Sequence, residues 1–508
     1  MESQDDVAIL PRNQESLHDS KVGEEVPQGA VAALGNQEVY NSLEEDQELE
    51  EEVPQEAVAA PGNQEVYNSL EDQELEERAA EEEISAEQLH GCDWAQLSAD
   101  LLTRIFSALE VPDLISSGAV CKSWNTNYST VRRLGLSSPG KEPYLLYSSQ
   151  DQDGDPDNAT LHRLSTGRSY RIPVPAPPFH TVGSSHGWLV AADERSELHL
   201  FNPVTGVQID LPPLQTIEHV KPMLKDRQSR TVYGYAVCNI TPSAPEPKLD
   251  RETIARMPKY LVGEAHHNLY KRVILSADPS LGNRCIVMVI HHPQTQLSYA
   301  RVGDSKWTWL NASDKCFAYH DCFFDDKDEL FYALRSTGEI HTIDFRGPDL
   351  LVNSIFPPFE VSLDCTKYIV CAPWGDLLQV WRYFYLNDNE EPKTHQVIVF
   401  KPDIAKEDLI DIKDLQGHAL FIGFGSSFFV SVKDFPTLNP NCVFLAHDNS
   451  KCDLGKKTVI NEVVVYNIEN DSFVDAPPFS SWMDCPPPIW FRPSCSQHKC
   501  GPAYSAVE

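Results

Sequence analysis

Long apolar runs, clustered positive charge and paired cysteines are all scarce in this chain of 508 residues. The longest apolar stretch, Ala419 to Val432, is broken by Gly423, Gly425, Ser426, Ser427 and Ser431. A helical bilayer span needs about 20 consecutive apolar residues, so no membrane crossing is expected. Basic side chains number 41 against 76 acidic ones, a formal charge of −35. Nucleic acids and anionic lipid surfaces are bound through clustered Lys and Arg, so neither is expected as a partner. The opening Met1-Glu2-Ser3-Gln4-Asp5-Asp6 has the wrong charge for a secretion signal, and no apolar segment follows it. The 13 cysteines are odd in number and irregularly spaced. Reduced, mostly buried thiols in cytoplasm or nucleus are therefore expected.

Aromatic and basic residues are scarcest at the start. Residues 1–90 hold 26 acidic and 3 basic side chains, a net of −23, which leaves 50 acidic and 38 basic, a net of −12, for residues 91–508. Tyr40 and Tyr67 are the only aromatics there, out of 48 in the chain. Such a segment buries too little apolar surface to offset its ordering entropy, and a disordered acidic tail is expected over 1–90. The tail contains a tandem repeat (24–50, 51–77). Glu24-Glu25-Val26-Pro27-Gln28 returns as Glu51-Glu52-Val53-Pro54-Gln55, and Gly35 to Leu43 returns as Gly62 to Leu70.

Residues 93–133 read as three short helices. Leu101, Ile105 and Leu109 share one helical face, which Leu102 and Phe106 widen. Ser98 is placed to cap this helix; Pro112 and Asp113 open a second, and a third runs through Val120, Cys121 and Trp124. About 40 residues make a poor core by themselves, so this much aliphatic surface implies a partner.

From residue 143 to 495 the pattern is β. Strand–turn–strand units occur at Leu161–Ile172, Leu198–Leu211, Leu297–Leu310, Phe331–Phe345, Tyr368–Tyr385 and Val463–Val474. Repetition of this kind suggests an all-β propeller-like domain, which disposes of open sheet edges. At roughly 50–60 residues per blade, six blades are expected, with seven as the alternative count and a pair of β-sandwiches as the alternative architecture. Neither a Trp-Asp dipeptide nor a Gly-Gly doublet occurs, so the usual marks of two propeller repeat types are missing. The whole is thus α+β and multidomain: acidic tail, three helices, β domain and a flexible tail at 496–508. One insertion, 211–275, is basic, with 10 Lys and Arg against 6 Asp and Glu. It contains a short helix read from Asp250 to Met257. Long loops on β scaffolds often bind partners, so Lys221, Lys225, Arg227, Arg230, Arg251, Arg256 and Lys259 are candidate substrate contacts.

The run Leu97-Ser98-Ala99-Asp100-Leu101-Leu102-Thr103-Arg104-Ile105-Phe106-Ser107-Ala108-Leu109 resembles the opening of an F-box. Pro112-Asp113-Leu114-Ile115 and Ala119-Val120-Cys121-Lys122-Ser123-Trp124 continue the match in order. Ser98 departs from the family, which usually has Pro there. The remainder resembles the kelch-like domain of unknown function carried by many plant F-box proteins, on Gly183-Ser184-Ser185-His186-Gly187-Trp188-Leu189, Leu200 to Gly206, Leu420 to Gly423 and Asp434 to Leu445. The resemblance implies a substrate receptor of an SCF-type cullin–RING ubiquitin ligase. It would dock on a Skp-type adaptor through Leu97, Leu101, Leu102, Ile105, Phe106, Leu109, Pro112, Leu114, Ile115, Val120, Cys121 and Trp124. The β domain would hold an unknown protein target. Fully burying one such apolar side chain is worth about 1.5–3 kcal/mol, so a few suffice for docking. The same residues could equally pack the helices together, and an even division between the two roles is expected. The alternatives are a non-degradative binding scaffold and a propeller hydrolase.

Catalytic and metal chemistry find little support. Asp151-Gln152-Asp153-Gly154-Asp155-Pro156-Asp157 resembles half a calcium loop, but His162 stands where the closing Glu belongs. Cys485, Cys495, His498 and Cys500 are irregularly spaced for zinc. His266-His267 and His291-His292 read as strand neighbours facing opposite ways, hence as poor chelates. The Gly-x-Ser-x-Gly elbow of many hydrolases is read as absent. No catalytic residue, metal or cofactor is expected.

Overall fold

Alternating apolar residues separated by glycine-bearing turns build a ring of antiparallel sheets. The computed structural model describes residues 94–134, 143–147, 158–173, 180–203, 206–224, 231–239, 256–311, 318–359, 365–388, 392–446, 463–475 and 488–493. The acidic tail, the Asp151–Asp157 run and the cysteine-rich C-terminal segment lie outside these residues.

Three helices come first: α1 (Ala99–Ala108), α2 (Val111–Gly118) and α3 (Lys122–Leu134). Ser98 caps α1 as read, its Oγ accepting from the Leu101 N–H at 3.4 Å. Val120 and Cys121 fall in the turn before α3 rather than within it. The chain must reverse there, and Gly118 lets α2 approach α3 closely. A Cβ on Gly118 would meet the Tyr128 ring at 2.6 Å.

The described strands form seven sheets. The sheet of His180–Ser185, Trp188–Ala192, Leu198–Asn202 and Val207–Asp210 follows a simple up-and-down order, as do the sheets beginning at Tyr270, Tyr319 and Cys365. The strands read at Leu198–Leu211 and Val463–Val474 pair as hairpins. The first strands stand side by side, 180–185 against 270–275, 270–275 against 319–325, and 319–325 against 365–371. In the sheet of residues 418–474, the strands His418–Ile422 and Cys442–Ala446 pair in parallel. A three-stranded sheet (Val220–Leu224, Val232–Val237, Lys259–Leu261) belongs wholly to the 211–275 insertion.

The ring is closed by residues far apart in sequence. Ile489–Phe491 pairs with Tyr144–Tyr147. Tyr144 and Leu146 pack with Leu189 and Phe201 of the next sheet. Leu145 and Tyr147 point the other way, to Phe421, Phe444 and Trp490. All four side chains of this strand are buried, because a sheet with neighbours on both faces has no solvent side. Further apolar clusters fill the gaps between each remaining pair of neighbouring sheets around the circle.

Candidate functional site

The helical unit sorts the twelve candidate contact residues by burial. Leu102, Phe106, Pro112 and Leu114 are buried, the first two and Leu114 in a cluster with Tyr128 and Val131. Leu102, Phe106 and Leu114 pack in the bundle's own interior, the packing half of the even division expected for these residues. Leu97, Leu109, Ile115 and Trp124 are half-buried at the edge of that cluster, and Cys121 is half-buried in the turn. Leu101, Ile105 and Val120 stand exposed, at 49%, 42% and 61%. The first two are one helical turn apart on α1. Trp94 is 65% exposed, and its carbonyl accepts the Trp124 indole N–H at 2.9 Å. Glu110 ties the unit to the first sheet, accepting from Tyr144 Oη at 3.1 Å and pairing with Arg163 at 3.3 Å.

Of the basic insertion, Lys221, Arg256 and Lys259 are described; Lys225, Arg227, Arg230, Arg251 and most of the helix read at Asp250–Met257 lie outside the described residues. Lys221 and Lys259 both pair with Ala236 across the small sheet, so they share one of its faces. Arg256 and Lys259 are exposed and Lys221 is half-buried.

The strands lining the ring's centre carry buried charge. Arg272 Nη1 meets Asp321 Oδ1 at 3.2 Å, both side chains almost fully buried. Asp321 Oδ2 accepts the Ile369 N–H at 3.0 Å, and Oδ1 accepts the Cys322 N–H at 2.8 Å. One carboxylate thus joins three successive central strands. Arg272 also lies over the Tyr368 ring at 5.2 Å, and Lys367 over Trp381 at 4.1 Å. Beside them, Glu339 takes Arg335 at 3.2 Å and His341 Nε2 at 3.0 Å, with the His341 Nδ1 facing Tyr319 Oη at 2.8 Å. The Asp321 contacts tie neighbouring sheets together, whereas the Glu339 cluster and the Lys367–Trp381 contact each lie within a single sheet.

Two features went unread in the sequence. Residues 183–187 do carry Gly-x-Ser-x-Gly spacing, at Gly183-Ser184-Ser185-His186-Gly187. Here the spacing makes a hairpin turn between two antiparallel strands, with no helix following it. Ser185 Oγ faces Nδ1 of its neighbour His186 at 2.8 Å, beside a cleft of about 350 Å³ that also takes in Ser426, Phe428 and Arg492. The second feature corrects the reading of His266-His267. These residues occupy a five-residue helix, α4 (Ala265–Leu269), not a strand, so successive side chains need not face opposite ways. Their rings lie 4.0 Å apart, and the His180 ring is 4.7 Å from each. Burial, with the two neighbouring imidazoles adding to it, holds His180 well below the usual histidine range. Burial likewise brings His266 down to about 3. No sequence spacing pairs residue 180 with 266; the ring brings them together.

A capped three-helix module ahead of a closed ring of sheets defines the class, a helical unit followed by a β-propeller. The chain belongs to the KIB1-4 beta-propeller family, whose model matches residues 161–467. Similar proteins of Arabidopsis thaliana include the putative F-box protein At5g55150, 22% identical over 337 residues, with 66% of this chain and 79% of the relative covered. F-box protein At5g25290 is 20% identical over 429 residues, covering 79% of this chain and 97% of its own length. F-box protein SKIP23 is 25% identical over 378 residues, covering 69% and 83% respectively. Among the described residues no helix is long and apolar enough to cross a membrane.

Proposed function

We propose that this chain is a substrate-recognition subunit of an SCF-type cullin–RING ubiquitin ligase. The F-box docks on a Skp-type adaptor, and the propeller presents a protein target. The observation that carries this reading is the exposure of Leu101 and Ile105, one turn apart on α1, with Val120 exposed in the turn before α3. They stand on a module whose interior is already filled by Leu102, Phe106, Leu114 and Val131. Exposed aliphatic residues grouped this way mark a surface that another protein covers. The F-box names of the similar proteins support the same partner. The rate gain would come from holding target and ubiquitin donor together, with no catalytic group supplied by this chain. Arg256, Lys259 and Lys221, on the insertion, favour a target with an acidic contact segment.

Co-purification with a Skp-type adaptor tests the docking. Leu101→Asp combined with Ile105→Asp should abolish capture while leaving the helical signal and melting temperature unchanged. Retained capture in that folded variant rejects the assigned surface.

A further inference from the structure

We propose that His180, His266 and His267 form a binding site for one zinc ion, with the imidazole nitrogens as ligands. One nitrogen from each ring lies within 4.8 Å of the other two. Zn–N bonds of about 2.0–2.1 Å in tetrahedral geometry place nitrogen ligands about 3.3 Å apart. Closing that gap requires small rotations of the rings, and the half-buried His267 has room for the largest.

The surroundings are built like the support of a metal ligand. Ser196, fully buried, donates its single hydroxyl proton to the Val262 carbonyl at 2.6 Å. Its Oγ then accepts from the His266 backbone N–H at 2.9 Å and lies 3.0 Å from His266 Nδ1. With the hydroxyl proton committed to Val262, Nδ1 carries the hydrogen and donates it to Ser196. That tautomer leaves the His266 Nε2 lone pair for a metal. A metal-bound histidine commonly donates its other ring N–H to a neighbour that fixes the ring. Ser196 is itself anchored, since Tyr270 Oη donates to its carbonyl at 2.9 Å. Three imidazoles suit a borderline divalent ion of the zinc type and leave a fourth position for water or an incoming group. The ligands come from two places: His180 starts a central strand, and α4 ends the basic insertion. The ion would therefore staple the insertion to the ring.

The test uses the full chain, stripped with a chelator and titrated with Zn²⁺ against a chromophoric competitor. One equivalent should bind. Ser196→Ala should weaken binding about 10–100-fold, and His267→Ala by at least as much. Cobalt substitution gives a readout that needs no variant: visible bands of a four-coordinate nitrogen site, without the near-ultraviolet thiolate band that cysteine binding would produce. No bound equivalent, a thiolate band, or affinity unchanged in a folded His267→Ala protein overturns the site.

Discussion

Asp321→Ala is the sharpest perturbation of the propeller. It removes the carboxylate that faces Arg272 at 3.2 Å and the acceptor for the Ile369 N–H at 3.0 Å. Breaking one half of a buried ion pair costs about 3–5 kcal/mol, because the remaining charge stays desolvated. The lost acceptor overlaps with that figure, since an orphaned buried donor costs about 1–3 kcal/mol and the two losses share one side chain. A total near 4 kcal/mol is expected. With a urea m-value of about 3 kcal/mol/M, this moves the unfolding midpoint down by roughly 1.3 M. Tryptophan fluorescence reports it, since Trp381 lies in the adjoining sheet. Asp321→Asn keeps an acceptor for Ile369 and should fall between wild type and alanine. Arg272→Met with Asp321→Leu removes both charges and should recover the part of the loss due to the unpaired guanidinium, because a matched apolar pair avoids the desolvation penalty, while the Ile369 N–H still lacks its acceptor. A midpoint shift under about 0.3 M for Asp321→Ala, taken at the same m-value, would refute the role given to this carboxylate. So would a double variant no more stable than the single one.

Other outcomes follow from burial. Leu102→Ala should cost about 2–5 kcal/mol by opening a cavity in the helical module, whereas Leu101→Ala should change stability by under about 0.5 kcal/mol; helical circular dichroism on heating separates them. Trp490→Ala removes the side chain packed 5.0 Å from the Phe421 ring at the closure. A loss of about 3–5 kcal/mol is expected, with faster proteolysis of the C-terminal strand; a protease-resistant variant would argue that closure lies elsewhere. His291 is fully buried, and burial brings its pKa down to about 3. Its Nδ1 bonds the His292 carbonyl at 2.9 Å, so the neutral ring's Nε2 accepts from Ser298 Oγ at 2.8 Å. The unfolded chain takes up a proton near pH 6.5 while the folded ring does not. This contribution is therefore full above about pH 6.5 and falls by roughly 1.4 kcal/mol per pH unit as acid is added toward pH 3. His291→Gln should flatten the stability–pH curve over that range by about one proton; an unchanged slope rejects the assignment.

Local chemistry made much of this molecule legible in advance. Ser98 before an apolar stripe, Pro112 at a helix start and Gly turns between alternating strands each act over a few residues. Helices and hairpins form on that scale, and the F-box motif is equally local. The division of its apolar residues between interior and surface was not readable. Leu101 and Leu102 are neighbours of one residue type, yet one is 49% exposed and the other fully buried. Their difference depends on where α2 and α3 pack.

What the sequence alone determined was therefore the order of parts: an acidic leader, a helical F-box and strands with propeller-like repetition. Tertiary structure decided which distant residues meet. The closure of Ile489–Phe491 on Tyr144–Tyr147, the Arg272–Asp321 pair and the meeting of His180 with the His266-His267 pair all join residues at least 49 positions apart. Sequence patterning reports periodicity along one strand or helix. Contacts across a ring depend on how whole sheets stack, which is set by the sum of many apolar burials rather than by any short motif.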